Sequence, residues 1–247
     1  MKFVRYKKNK PEYRGIVDGN KIKRINGTIF HDYSLSDDIE DLSNVEILPP
    51  INPQKIIGVK ANYGKKNMAQ NTPNIFIKPA STVTAYNTNI VLPKNREKVC
   101  IEGELALIIG KKCKNVSEKL ASQVIFGVSI ANDVTGVYED SSLNATLGKS
   151  FDTYLPLGPY MVTDIDYCNL NIKTYKNGEL VQNGSSKDMI FNSFELVAYI
   201  SSIMTLFTGD VILTGTPAQA VEVFPNDEIT VEIEHLGTLK NKVVESV

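Results

Sequence analysis

The apolar residues of this chain occur in short runs rather than in long helical stripes. Four runs of strand length occupy the middle of the chain, at residues 55–59, 74–79, 104–109 and 123–130. Runs of this length, bounded by turn residues, are typical of buried strands. Later runs predict further strands at residues 210–213, 228–234 and 242–244.

Helical spacing is visible in one long segment and one short segment. Asn192, followed three residues later by Glu195, predicts the capped start of a helix. Gly209 predicts where that helix ends. Between them, apolar residues recur at helical spacing at Leu196, Val197, Ile200, Ile203, Met204 and Phe207. A brief helix is predicted at residues 116–120, where Ser117 could cap its first turn.

The domain organisation is indicated by a proline-rich segment at residues 48–53. Its three prolines exclude a regular helix and mark a linker. We therefore predict a small N-terminal β domain at residues 1–50 and a main domain at residues 51–247. Asn177-Gly178 predicts a two-residue hairpin turn in the main domain, because both turn positions favour positive φ. Strands outweigh helices, so the predicted fold class is α+β and β-rich, with curled or barrel-like sheets.

Composition narrows the class of protein. The chain has 247 residues, of which 42% are apolar and 22% charged, as in globular proteins with one main domain. Its 27 basic and 28 acidic residues give a net charge of -1, which argues against nucleic-acid or membrane partners. The N-terminus does not resemble a secretory signal, and no apolar stretch has the length of a membrane span. Cys100, Cys113 and Cys168 lack metal-site spacing, so we expect reduced thiols in a cytoplasmic protein.

Two glutamates separated by one residue, Glu102 and Glu104, are the strongest candidates for chemistry. In an extended strand, side chains at positions i and i+2 point the same way. Asp133, at the end of a second apolar run, could complete a cluster of oxygen ligands for a hard divalent cation. The alternative is a half-exposed strand with both glutamates in water. The only histidines are His31 and His235, which excludes a metal site built from several histidines.

Ordered motifs across most of the chain resemble those of the fumarylacetoacetate hydrolase family. They run from about residue 51 to the C-terminus, and each motif alone is short. In order, they are Lys55-Ile56-Ile57-Gly58-Val59 leading to Asn62-Tyr63, Ile77-Lys78-Pro79, Glu102-Gly103-Glu104-Leu105, Asn132-Asp133, Gly148-Lys149-Ser150-Phe151-Asp152-Thr153, and Gly209-Asp210 continuing to Thr214-Gly215-Thr216-Pro217. Six such matches in the correct order are not plausibly accidental.

The resemblance implies rolled, mixed β-sheets around a central metal site, in a homodimer. Its metal is Mg²⁺ or Mn²⁺, with Ca²⁺ able to substitute in crystals, and the implied ligands are Glu102, Glu104 and Asp133. Lys149 and Thr153 match family positions beside the metal.

The same resemblance implies that the turn containing Thr214, Gly215 and Thr216 binds the substrate carboxylate. Without the family match, an ordinary turn ended by Pro217 is the better interpretation of these residues.

Three carboxylates leave roughly three open positions on an octahedral Mg²⁺. A 2-oxo acid can fill two of them with a carboxylate oxygen and the neighbouring carbonyl oxygen. The metal then stabilises the enolate that forms when an adjacent bond breaks. Lys149 could donate a hydrogen bond to the developing oxyanion. A structural salt bridge from Lys149 to Glu102 or Asp133 is an equally good interpretation.

The chain departs from the family pattern at several positions. Hydrolytic members carry a histidine and a glutamate after the Asn-Tyr motif, where this chain has Lys66 and Ala69. The missing pair would deprotonate the attacking water, and Lys66 is the candidate replacement base. Val137 and Asp140 stand where the family usually has arginine and glutamine, and Gln219 replaces a glycine. Val137 favours a substrate with fewer anionic groups.

Three functions are compatible with these features. The leading hypothesis is a divalent-metal enzyme acting on a small 2-oxo or enol acid, mono- or dicarboxylic, as decarboxylase, keto–enol tautomerase or double-bond isomerase. The second is a hydrolase of a C–C bond in an acylpyruvate or a fumarylacetoacetate-like diketo acid, with Lys66 as base. The third is a catalytically degenerate family member that keeps the metal ligands and only binds a ligand or partner.

Overall fold

The computed structural model describes residues 1–64, 71–94, 98–143 and 145–246, and β-strands dominate them. The strands are β1 Lys2–Lys7, β2 Glu12–Asp18, β3 Lys21–Gly27, β4 Tyr33–Asp41, β5 Glu46–Leu48, β6 Ile56–Lys60, β7 Asn74–Lys78, β8 Val83–Thr84, β9 Asn89–Leu92, β10 Lys98–Ile101, β11 Gly103–Ile109, β12 Ile125–Asn132, β13 Thr135–Val137, β14 Leu155–Val162, β15 Asn171–Lys176, β16 Glu179–Ser185, β17 Val211–Leu213, β18 Val221–Glu222, β19 Glu228–Ile233 and β20 Gly237–Glu245. The α-helices are α1 Glu118–Ala121 and α2 Ser193–Ile203, and short 3-10 helices occur at Leu42–Asn44, Ala80–Thr82, Ser141–Leu143, Leu147–Lys149 and Ser186–Asp188.

The described strands form one large mixed sheet and two smaller ones. The large sheet has the order β4-β3-β2-β1-β14-β12-β11-β17-β6-β7, with β5 beside β1 and β8 beside β14. The smaller sheets have the orders β13-β10-β18 and β16-β15-β19-β20-β9. Most neighbours are antiparallel, whereas β6 runs parallel to β17, β8 to β14 and β9 to β20. The predicted β-rich α+β fold class is confirmed.

Strand β11 lies at the centre and is buried on both faces. Its side chains alternate between two cores, as the two-residue period of a strand requires. Leu105 and Leu107 pack into a core shared with α2 and with β15, β19 and β20. Ala106 and Ile108 pack into a second core, which includes Phe3 and other residues of the N-terminal segment. A strand held from both sides is a rigid base for the side chains at its end.

The first fifty residues join the large sheet rather than standing apart from it. Strand β1 pairs antiparallel with β14, and Phe3 lies opposite Met161. The N-terminal ammonium group also bonds to the carbonyl oxygen of Thr163 at 2.9 Å. The boundary near residue 50 stays a prediction, because the N-terminal strands extend the sheet of the main domain.

The local helix and turn predictions are confirmed in most respects. Asn177 and Gly178 have φ of 54° and 83°, as the hairpin turn requires. Asn192 caps α2, and Glu195 completes the capping box. The predicted end of α2 at Gly209 is wrong: the helix ends at Ile203, because the following residues extend and pair with the segment at Cys113.

The predicted cap of the short helix is only partly correct. Ser117 does occupy the N-cap position of α1, but its side chain makes no capping hydrogen bond. None of the helices in the described part of the chain is long and apolar enough to cross a membrane.

Candidate metal centre and active-site cavity

A cluster of three carboxylates forms where β11 begins and β12 ends. Glu102 precedes β11, Glu104 is its second residue, and Asp133 follows β12 directly. The strand register places Gly103 opposite Asn132, which brings the three acidic side chains together. One oxygen of each carboxylate lies within 4.8 Å of the others. The sequence suggested that both glutamates lie on one continuous strand. They do not, because Glu102 precedes β11, but their carboxylates still converge on the same point.

Burial distinguishes the two glutamates. Glu104 is 2% exposed and Asp133 is 1% exposed, whereas the side chain of Glu102 is 22% exposed. The alternative interpretation, in which both glutamates lie in water, is therefore wrong for Glu104. A buried carboxylate needs a compensating charge or hydrogen bond.

Two lysine ammonium groups contact Asp133. Lys149 Nζ lies 2.5 Å from Asp133 Oδ2 and 3.0 Å from Glu102 Oε2. Lys78 Nζ, which is fully buried, lies 2.6 Å from Asp133 Oδ1. The two salt bridges proposed for Lys149 on the sequence are both present.

Glu104 has a different set of contacts. It accepts a hydrogen bond from the backbone N–H of Gly215 at 2.6 Å, and no lysine or arginine of the described residues forms a salt bridge with it. Gly215 has φ of 94°, which favours glycine at this close approach. Of the three carboxylates, Glu104 is the one with the least compensated charge.

The pKa shifts follow from these contacts. Burial raises the pKa of Glu104 well above its usual value, and the charges of Asp133 and Glu102 raise it further. Burial also acts to raise the pKa of Asp133, but Lys149 and Lys78 outweigh it, so this pKa is lowered. Burial acts to lower the pKa of Lys149, but Asp133 and Glu102 outweigh it, so this pKa is raised. Lys149 therefore holds its proton at neutral pH.

The cluster suits a hard divalent cation. Its donors are carboxylate oxygens, which Mg²⁺ and Mn²⁺ prefer to sulfur ligands. Two lysines offset part of the negative charge at Asp133 and Glu102, whereas Glu104 is buried with only one backbone donor. A cation bound among the three carboxylate oxygens would supply the positive charge that is needed to compensate the Glu104 carboxylate.

The cluster lies in the wall of a cavity of about 660 Å³. This volume is within the usual range for small-molecule sites. Apart from the cluster and Lys149, the lining residues include Tyr63, Phe76, Cys100, Thr135, Val137 and Thr216.

The loop from Thr214 to Pro217 is only partly placed as the sequence predicts. Thr216 and Pro217 line the cavity. The Thr214 hydroxyl is fully buried and donates to the carbonyl oxygen of Leu105 at 3.0 Å. Thr214 and Gly215 therefore hold the loop against β11, and Thr216 is the member of the predicted substrate-binding set that reaches the cavity.

Thr153, which is predicted to lie beside the metal, is not among the described residues that line this cavity. Its hydroxyl oxygen accepts a hydrogen bond from the N–H of Val91 at 2.9 Å. Together with Phe151 and Asp152, it lines a separate and more open cavity. Thr153 has φ of 67°, just before β14 begins. A role for Thr153 in substrate binding stays a prediction.

The predicted replacement base, Lys66, lies outside the described residues, as does Ala69. His31 and His235 are both exposed. Among the described residues that line the cavity, none is a histidine. The described part of the site thus has no imidazole to deprotonate water.

Three residues of the site were missed as functional residues in the sequence. Lys78 and Tyr63 belong to motifs that carried the family resemblance, but neither motif indicated a role for them. Gln182 carried no signal, because it lies within an ordinary hairpin strand. It accepts from Gly103 N–H at 3.0 Å and donates to Thr216 Oγ1 at 3.1 Å, so it connects the acidic segment with the loop.

The β-rich fold brings three carboxylates and a lysine together at one cavity. This arrangement is typical of acidic cation sites with oxygen ligands. The chain belongs to the fumarylacetoacetate hydrolase family: the model described as fumarylacetoacetate (FAA) hydrolase C-terminal matches residues 55–244. A second model, described as Rv2993c-like, N-terminal, matches residues 1–50. Relatives and structural neighbours in this family include enzymes, namely isomerases, tautomerases and hydrolases.

Individual similarities point to more than one reaction. The chain is 40% identical over 222 residues to oxaloacetate tautomerase fahd2, mitochondrial, of Xenopus laevis, covering 82% of this chain and 69% of the relative. It matches the crystal structure of 2-hydroxyhepta-2,4-diene-1,7-dioate isomerase from Mycobacterium marinum with a TM-score of 0.94 and 34% identity, covering 100% and 99% of the two chains. It also matches maleylpyruvate hydrolase from Sphingobium sp. SYK-6, in complex with manganese (II) ion and pyruvate, with a TM-score of 0.85 and 27% identity over 100% of both chains. Members of the family are generally dependent on divalent metals.

Proposed function

We propose that this protein is a divalent-metal-dependent isomerase of small 2-oxo acids, which interconverts their keto and enol forms, and that the same site can decarboxylate 2-oxo diacids. The observation that carries the proposal is a cavity with three carboxylates and a protonated lysine but no histidine among its described lining residues. C–C hydrolysis requires a base that activates water. Loss of CO₂ from a 2-oxo diacid requires no base, and a keto–enol shift requires one only to take the C3 proton, without an activated water. The similarity to a tautomerase and to an isomerase supports this choice.

The residues that would hold the cation are Glu102, Glu104 and Asp133. We propose Mg²⁺ or Mn²⁺, because all three ligands are hard carboxylate oxygens. When bound, such a cation supplies Lewis acidity toward a carbonyl oxygen.

Lys149 and Tyr63 supply the protein's own polar contacts. The charges of Asp133 and Glu102 keep Lys149 protonated, so its positive charge can stabilise negative charge that develops on the substrate's C2 oxygen. Burial and the charge of Glu104 raise the pKa of Tyr63, so this hydroxyl also keeps its proton and can donate to the substrate. Thr216 adds a hydroxyl at the opposite end of the Gln182 side-chain bridge.

The proposal is tested by following three products separately. The protein is incubated with Mg²⁺ or Mn²⁺ and with oxaloacetate, an acylpyruvate or a 2-hydroxydienedioate. We expect an ultraviolet change from keto–enol conversion, with CO₂ from the diacid and no carboxylic-acid cleavage product. Cleavage product that disappears in Lys66→Ala would contradict the proposal in favour of hydrolysis. Saturable metal binding without turnover of any of these acids would contradict it in favour of a ligand-binding role.

We also propose that the protein forms a homodimer, as the family resemblance implies. Leu143 and Leu147, near the turn that holds Lys149, are 40% and 41% exposed. A contiguous exposed apolar surface can mark a contact with a partner subunit. Sedimentation should give twice the chain mass of 27.4 kDa, and a monomer mass at micromolar concentration would contradict the dimer.

A further inference from the structure

The cavity wall next to the acidic cluster is apolar along the three-stranded sheet. Thr135 and Val137 are two residues apart in β13, so their side chains point to the same side. This side of β13 faces Lys149, because the Thr135 hydroxyl lies 2.6 Å from Lys149 Nζ. Cys100, directly opposite Thr135 in the register, is also buried and lines the cavity. Val137 and Cys100 therefore form an apolar surface beside Lys149 and the acidic cluster.

An aromatic ring extends this surface from another strand. The Phe76 ring centroid lies 4.5 Å from Lys149 Nζ. The ring lies over the backbone of Gly58, where an added Cβ atom would collide with it. The ring is thus fixed where the charged end of the cavity meets the apolar wall.

The described residues provide little positive charge for a second anionic group. Lys149 is already paired with Asp133 and Glu102. The remaining lysine among the described lining residues is Lys60, which is exposed to solvent. Lys98 lies opposite Val137 in the register, but it does not line the cavity, and its ammonium lies 3.4 Å from Glu222.

We propose that the site prefers 2-oxo acids whose tail beyond C3 is uncharged and apolar to the diacids that it also accepts, with Val137 as a specificity-determining residue. This inference rests on the proposed function and names its substrate class. A second carboxylate placed against Val137, Cys100 and Phe76 would lose water without gaining a paired cation, which is unfavourable. An alkyl or aryl tail in the same place would be buried favourably.

The test compares two acids of nearly the same shape, 4-methyl-2-oxopentanoate and oxaloacetate, which carry an isopropyl group and a carboxylate at the same position. Exchange of the C3 hydrogens in D₂O with Mg²⁺ is followed by NMR, and each kcat/KM is divided by the rate without protein. We expect a value about tenfold or more greater for the isopropyl acid. Calorimetric titration of the same two acids should rank their Kd values in the same order.

The variants Val137→Arg and Val137→Leu form a matched pair. Val137→Arg should reverse the preference, and Val137→Leu should keep it. If the wild-type protein catalyses exchange but prefers oxaloacetate, this inference is overturned and the proposed function is not. If Lys60→Gln then loses that preference for oxaloacetate, Lys60 is the cation that binds the second carboxylate. Absence of exchange with both acids would overturn the proposed function, and the order of the calorimetric Kd values would then decide the inference by itself.

Discussion

The hydroxyl of Tyr63 is the clearest unused polar group of the site. It is buried at the cavity wall and has no hydrogen-bond partner among the described residues. The Thr214 hydroxyl is close to it but donates to the carbonyl oxygen of Leu105 instead. A buried hydroxyl without a partner costs folding free energy. Because Tyr63 lines the cavity, we expect its hydroxyl to regain that energy by bonding to substrate.

Tyr63→Phe should therefore lower kcat/KM without lowering stability. The loss of one hydrogen bond to substrate predicts a decrease of roughly two- to tenfold, while the melting temperature should stay the same or rise. Tyr6→Phe is the matched control, because Tyr6 has an equally unpaired buried hydroxyl in the N-terminal core, away from the cavity. Enzyme assays and thermal melts of both variants make the comparison. Equal activity losses in the two variants would refute a substrate contact for Tyr63.

The element that sets the metal ligands is the junction between β10 and β11. Gly103 separates the two glutamates, and a Cβ atom there would collide with Thr174 Oγ1 and lie 3.0 Å from Val231. The missing side chain lets this junction lie directly against the five-stranded sheet. The carboxylates of Glu102 and Glu104 thereby reach the end of β12.

Gly103→Ala should displace the junction and weaken Mg²⁺ binding by about tenfold or more, since positions around metal ligands typically contribute effects of this size. The added Thr174→Ala removes the closest contact, so the double variant should recover part of the affinity. Calorimetric Mg²⁺ titration of the two single variants and the double variant gives the coupling. Unchanged affinity in Gly103→Ala would show that the junction tolerates a side chain.

Sequence patterns predicted the elements whose signals are local. The capping box at Asn192 and the positive-φ turn at Asn177-Gly178 depend only on neighbouring residues, and both are present. The end of α2 was not predicted, because pairing between Leu206 and Cys113 overrides helical spacing in Met204 and Phe207.

The same limit applies to the site. The convergence of the acidic residues follows from strand ends that the sequence marks. The contacts of Lys78 with Asp133 and of Gly215 with Glu104 join residues 55 and 111 positions apart. No local pattern encodes such contacts. That the negative charge of Asp133 is well compensated and that of Glu104 is poorly compensated is therefore visible only in the folded chain.

At the scale of the whole molecule, the acidic cluster ties distant segments together. Its contacts come from β7 through Lys78, from the turn that carries Lys149, and from the loop after β17 through Gly215. Unfolding separates all of these segments. A cation that binds only the assembled cluster therefore stabilises the entire fold.

Protons should compete with that cation, and the direction follows from Glu104. Its raised pKa means that the folded protein holds this proton more tightly than the unfolded chain does. Without metal, the free energy of unfolding should therefore fall as pH rises from 4.5, the usual value for glutamate, through the raised pKa of the folded state. The lowered pKa of Asp133 acts in a separate range below its usual 3.8, where stability is lost as pH falls.

Mg²⁺ at about a hundred times its Kd should add ~2.7 kcal/mol to the free energy of unfolding, which raises the melting temperature by roughly 5–10 °C for a chain of this size. Glu104→Gln should fold. It should lose the Mg²⁺-dependent rise in melting temperature, because the amide supplies no charged ligand. It should also lose the fall in the metal-free free energy of unfolding above pH 4.5, because the amide does not titrate. Asp140→Asn is the matched control, since it removes an exposed carboxylate that bonds to Ser142 outside the cavity, and it should keep both effects. Scanning calorimetry with and without Mg²⁺ across this pH range gives the comparison. Equal magnesium-dependent increases in the wild-type protein and Glu104→Gln would mean that the cation binds elsewhere.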